Sequence, residues 1–209
     1  MTRQTTPDTD SSATRIPRTK PAEVRLEELM AAAESLFLAK GVDATTVSEI
    51  VERAQVAKGT FYHYFPSKTD LLQALRDRYT ERFLHRLQAA VDACPEAAWE
   101  TRLRAWIHAN IQAYVQTYRT HDMVYTHHHH ARGNPSRNAL LEQLLDLIER
   151  GNEAGAWRSA SPRIAAMLIY SGVHGATDDL IAAQPADGAA FAQTVADACL
   201  RILDGTSPP

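Results

Sequence analysis

Two cysteines in 209 residues are too few for a disulfide framework, and Cys94 and Cys199 fit no zinc-ligand spacing. Both fall in apolar helical stretches, where a thiol reads as small-residue packing. No apolar run reaches the roughly 18 residues that a membrane-spanning helix requires. The opening MTRQTTPDTDSSATRIPRTKP lacks the apolar core of a signal peptide, so a cytoplasmic location is expected. Positive charge is not in excess either: 22 Lys and Arg stand against 25 Asp and Glu, for a net charge of −3. Bulk charge therefore gives no argument for a nucleic-acid-coated protein, and any phosphate contact depends on local placement.

What is present is helix after helix. With 44% hydrophobic and 22% charged residues, the composition is that of an ordinary globular protein. Residues 1–20 are polar and read as a flexible arm, its end carrying Arg15, Arg18 and Lys20. Pro21 opens a helix whose apolar positions recur from Leu26 to Phe37, and Gly41 suits its C-terminal cap. Thr46 and Glu49 have the spacing of a capping box for a second, short helix. A third runs from Lys58 to Phe65, ended by Pro66; Ser67 and Asp70 then start a long helix to about Val91. Further helices are expected over Trp99–Tyr118, His121–Ala131, around Leu140–Ile148, from Ser161–Pro162 to Ala183, and from Gly188 to Leu203. The pattern predicts an all-α chain of about nine helices with no repeat and no strand.

The stretch VAKGTFYHYFPSKTDLL carries the sharpest signal. Two short helices joined by the turn Gln55–Val56–Ala57 make a helix-turn-helix, whose second helix can enter a DNA major groove. With Val56, Phe61 and Phe65 pointing inward, Lys58, Gly59, Thr60, Tyr62 and His63 cover the other faces. Thr60 and Tyr62 offer hydroxyls to phosphates or base edges, Gly59 permits close backbone approach, and Lys58 and Lys68 add charge near helix N-termini. On composition alone, a small helix with a wet face reads nearly as well.

The segment TTVSEIVERAQVAKGTFYHYFPSKTDLL strongly resembles the DNA-binding segment of the TetR (tetracycline-repressor) family of regulators, with a dense match from about Val24 to Leu75. That resemblance implies an N-terminal three-helix DNA-binding domain over residues 21–67 and a C-terminal helical effector-binding and dimerisation domain over residues 68–209. It implies a homodimer on a near-palindromic operator of double-stranded DNA. Thr46 is then expected to hold a phosphate, Lys58, Gly59, Thr60, Tyr62 and His63 to form the recognition surface, and Lys68 to clamp the DNA backbone. Two positions depart from the family pattern. Gln55 stands where glycine is usual, so a positive φ there would cost about 1 kcal/mol. Ala57 replaces a common hydroxyl residue.

In the back half, small groups recur at Ala165, Ala166, Ser171, Gly172, Gly175 and Ala176, and the last helix has an apolar stripe from Phe191 to Ile202. These faces either close the monomer's own core or pair with their symmetry mates; the resemblance favours a dimer through the two C-terminal helices. It also implies a small-molecule effector, of no assigned identity, in a cavity among the middle helices. Candidate lining residues are Trp106, Asn110, Tyr114, Tyr118, Met123, His127, His130, Trp157, Tyr170 and His174, large or polar groups on helices that otherwise look buried. Successive helical residues step by about 100°, so His127 to His130 cannot all converge on one ion; only His127 and His130 share a face. No metal and no cofactor is assigned, and no nucleophile–base pair occurs at a recognisable spacing, so an enzyme is not expected. The reading is a transcriptional repressor released by a small molecule. The alternative is a helical metal-binding protein or metalloenzyme using the His-rich segment.

Overall fold

The computed structural model describes residues 21–125, 135–183 and 188–203. The expected arm over residues 1–20, and His127 and His130, lie outside the described residues. Eight helices are described: α1 (Ala22–Lys40), α2 (Val47–Arg53), α3 (Lys58–Tyr64), α4 (Lys68–Asp92), α5 (Trp99–Tyr125), α6 (Pro135–Glu153), α7 (Pro162–Ala183) and α8 (Gly188–Leu203). Among the described residues α5 is continuous from Trp99 to Tyr125, across the break that the sequence pattern predicts between Tyr118 and His121. No proline or glycine interrupts residues 99–125, so the ladder runs unbroken through Arg119 and Thr120. Among the described residues no helix is long and apolar enough to cross a membrane.

The helix ends follow the local chemistry. Gly41 caps α1 at φ 86°, its N–H reaching the Phe37 carbonyl at 2.8 Å, a conformation that favours glycine. At α2 the Thr46 hydroxyl accepts the Glu49 N–H, while the Glu49 carboxylate accepts the Thr46 N–H at 2.8 Å. Ser67 caps α4 by accepting the Asp70 N–H at 3.2 Å, and its hydroxyl donates to the Asp70 carboxylate at 2.7 Å.

Two apolar cores organise the chain. The first gathers Leu29, Ala33 and Phe37 of α1, Ile50 and Val51 of α2, Phe61 of α3, Leu71 and Leu75 of α4, and Val124 and Tyr125 at the end of α5. The second joins Leu87 and Val91 of α4 and Trp106 and Ile107 of α5 to Leu144 and Ile148 of α6, Ile169 of α7 and Ala196 of α8. Helix α4 thus begins in the first core and ends in the second, and α5 runs back the other way. Residue 67 divides the elements, but no boundary between cores falls there. Arg78 strengthens the join, its guanidinium reaching Glu27 at 2.8 Å and Glu34 at 2.9 Å on α1.

The thiols differ. Cys199 is buried in the second core, and burial pushes its thiol up to about 11, where it stays protonated. Cys94 is only half-buried, in the turn after α4.

Candidate nucleic-acid interface and cavity

Helix α3 is only seven residues long and depends on its anchors. Phe61 is wholly buried and Phe65 nearly so, their rings 5.9 Å apart, with Ile50 and Ala54 in the same core. The Tyr64 hydroxyl donates to the Ala22 carbonyl at 2.9 Å, tying α3 to the start of α1. The opposite side is open. Lys58, Gly59, Tyr62 and His63 are all exposed, and their i, i+1, i+4, i+5 spacing puts them on one face. Tyr62, 51% exposed, is steadied edge-on against Phe61 at 5.3 Å. Thr60 turns toward the flank and is half-buried. A Cβ on Gly59 would meet nothing within 4 Å, so nothing inside the molecule requires glycine there.

Thr46 and Lys68 are placed differently from a free phosphate clamp. The Thr46 hydroxyl also donates to the Glu49 carboxylate at 2.8 Å, so both its roles are taken by the capping box. Hydrogen bonds from Lys40 and from Thr46 hold the Glu49 carboxyl well below its usual range, at about 2. The Lys68 ammonium donates to the Val42 and Thr45 carbonyls, each at 2.7 Å, and reaches the Asp43 carbonyl at 3.4 Å. An ammonium has three donors, so Lys68 binds the α1–α2 loop instead of presenting a bare charge. The turn residue Gln55 has φ 55°, the one positive φ outside glycine among the described residues.

Behind this unit lies a cavity of about 280 Å³ between α4, α5, α6 and α7. Of the residues expected around it, Asn110, Tyr114, Tyr170 and His174 line it. The others stand elsewhere. Trp106 is fully buried in the second core, its indole N–H donating to the side-chain Oε1 of Gln143 at 3.0 Å. Trp157 packs over Gly151, where a Cβ would fall 2.0 Å from its ring, and donates to the Ile148 carbonyl at 2.8 Å. Tyr118 is exposed, and Met123 lines a separate cleft between α1, α4 and α5.

Sequence reasoning missed Tyr79, Thr80 and Phe83 of α4 and His121 and Tyr125 of α5, which complete much of the wall. Tyr79 and Phe83 recur one turn apart and read as ordinary packing; only the partner helix shows that they border a void. Burial pushes the Tyr79 phenol up to about 12, and the Tyr114 phenol is raised by burial and by its 2.6 Å hydrogen bond to the Asp178 carboxylate. Among the described residues no cluster of three or more His, Cys, Asp or Glu side chains is arranged to hold a metal ion.

The comparisons with known proteins agree with this architecture. Residues 29–75 match the family model described as bacterial regulatory proteins, tetR family. The HTH-type transcriptional repressor NemR of Escherichia coli is 31% identical over 90 residues, 43% of this chain and 45% of NemR. The chain thus spans about half the length of that relative. A tetR-family regulatory protein from Rhodococcus RHA1 superposes with a TM-score of 0.67 at 21% identity, covering 90% of this chain and 100% of that one. The transcriptional regulator FadR from Bacillus subtilis, solved in complex with stearoyl-CoA, gives a TM-score of 0.67 at 20% identity, covering 84% of this chain and 98% of that one. The N-terminal quarter of the chain is thus similar to the DNA-binding segment of tetR-family regulators, and the fold of most of the chain is similar to that of the solved regulators.

Proposed function

We propose that this protein is a homodimeric DNA-binding transcriptional regulator, acting in the cytoplasm as a repressor that leaves its operator when a small molecule fills the cavity. The exposed face of α3 carries the reading: Lys58, Gly59, Tyr62 and His63 stand on a helix whose buried side is pinned by Phe61. Such a face suits the major groove, with Lys58 on phosphate and Tyr62 and His63 at base edges. The family match over residues 29–75 supports this over the metal-binding alternative. The structural neighbour FadR was solved with a small molecule bound, which supports an effector in the back half.

The partner is a second copy. Ile164, Met167 and Leu168 on α7 are 55, 39 and 56% exposed, and Ser171, Gly172 and Gly175 continue the same stripe. Ile202 of α8 is 40% exposed. An apolar stripe with small residues suits close helix pairing across a two-fold axis. Two recognition helices then meet half-sites about 34–36 Å apart on a near-palindrome.

Coupling between cavity and DNA runs through Tyr125. Its ring lines the cavity and also belongs to the first core, and its hydroxyl pairs with Thr80 of α4 at 2.7 Å. The adjacent Val124 carbonyl accepts from buried Arg76 at 3.0 Å. A ligand that displaces Tyr125 therefore shifts the first half of α4, and with it the spacing of the two α3 helices.

The test begins with selection of DNA from a random pool, followed by footprinting. A two-fold-symmetric site with protected half-sites one turn apart is expected; failure to enrich any sequence sinks the reading. On the selected site, Tyr62→Ala weakens binding by roughly tenfold or more, while circular dichroism and dimer mass stay unchanged.

A further inference from the structure

Asn110 sits on α5 at the cavity wall and is 6% exposed. Its carboxamide makes no hydrogen bond to the described residues. The neighbouring hydroxyls, by contrast, are occupied. Tyr79 pairs with Thr117 at 2.9 Å, Thr80 with Tyr125 at 2.7 Å, and Tyr114 donates to Asp178 at 2.6 Å. Its polar atoms open into the cavity, and a ligand group that fills its two N–H donors and its carbonyl supplies the partners that the protein does not.

The rest of the wall specifies the body of the ligand. Tyr114 and His174 are stacked 4.8 Å apart at 7°, and Tyr170 lies parallel to His174 at 3°. Phe83 and Tyr79 supply further aromatic surface from α4. Among the described residues no Lys, Arg, Asp or Glu lines the cavity. The Tyr79 and Tyr114 phenols, both pushed up, stay neutral at physiological pH. The titratable imidazoles on the wall, His121 and His174, already face carboxylates, Asp122 at 3.1 Å and Asp178 at 3.9 Å, so a ligand bearing a formal charge would lose its hydration without meeting an uncompensated opposite charge.

From this geometry we infer that the effector is an uncharged, ring-bearing molecule and that the Asn110 carboxamide selects it by pairing with a polar group on its edge. The inference rests on the effector reading above and adds the ligand's chemical class. The ring lies among the Tyr114, Tyr170 and Phe83 faces, and its amide, carbonyl or hydroxyl edge meets Asn110. An anionic ligand is disfavoured because the wall carries no guanidinium or ammonium and its two imidazoles already face Asp122 and Asp178, and a cationic one because those carboxylates are engaged by His121, His174 and Tyr114.

The probes are naphthamide, naphthoate and naphthylmethylamine, one ring system carrying a neutral, an anionic and a cationic edge. Each is titrated into the full-length protein by calorimetry and thermal unfolding. Naphthamide is expected to bind and raise Tm, and the two charged analogues to bind at least tenfold more weakly. Asn110→Leu, which removes the carboxamide, weakens naphthamide by about tenfold. Asn110→Ser leaves the cavity open and removes the carboxamide, so a lost affinity in both variants excludes simple blockage by leucine. Tighter binding of either charged analogue, no binding of naphthamide, or undiminished binding by both variants overturns the inference. A separate arm adds naphthamide to the complex with selected DNA. Release of DNA supports the effector reading; binding through Asn110 without release leaves the ligand class standing and refutes the effector role.

Discussion

Gln55 has an exposed side chain and a backbone φ of 55°, a conformation that costs an L residue about 1 kcal/mol more than glycine. Gln55→Gly is therefore expected to raise unfolding free energy by roughly 0.5–1 kcal/mol, part of the relief being offset by the looser unfolded chain. Urea denaturation monitored by circular dichroism measures this directly, and an unchanged midpoint would mean the turn carries no strain. Gly59 is the converse case. Open space surrounds its missing Cβ, and alanine is the better helix former by about 1 kcal/mol. Gly59→Ala is expected to hold or slightly raise stability and still weaken DNA binding by severalfold, because the added methyl meets DNA and not protein. Unaltered affinity would remove Gly59 from the interface.

At the scale of elements, the helix starts and stops were legible because each depends on neighbours in sequence. The capping residues Thr46 and Ser67, the stop at Gly41 and the break at Pro66 all act within a few positions. The break that the pattern predicts near Tyr118 is absent because polar residues on an amphipathic helix imitate a boundary, while the backbone has no cause to break there. Lys68 shows what local reading misses. Its charge at the start of α4 suggests phosphate, yet three carbonyls of the α1–α2 loop surround the ammonium. Lys68→Met is expected to destabilise the protein by about 1–3 kcal/mol, since those carbonyls lose charge-assisted donors. If Lys68 acts only on the loop, the slope of log K against log salt for DNA binding stays the same. A slope reduced by about one would show a phosphate contact as well.

At the scale of the molecule, the exposed stripe of α7 is expected to hold the dimer together. Leu168→Glu places like charges near the two-fold axis and should convert a dimer of 23.2 kDa chains into monomers by light scattering, with operator binding lost. A dimer that survives the change would move the seam elsewhere. The α4–α5 pair spans both cores, so under the proposed function it is the element expected to carry movement from the cavity to α3.

Sequence alone determined the helical class, most helix ends and the exposed character of the Lys58–His63 face, because periodicity, caps and aromatic anchors are local properties. The tertiary structure decided the membership of the cavity. Trp106, Trp157 and Asn110 look alike in sequence as large or polar groups on buried helices, yet two indoles find partners in the protein and one carboxamide does not. Whether a polar side chain is satisfied depends on which helix lies opposite, and that pairing is set by long-range packing that no short stretch of sequence encodes.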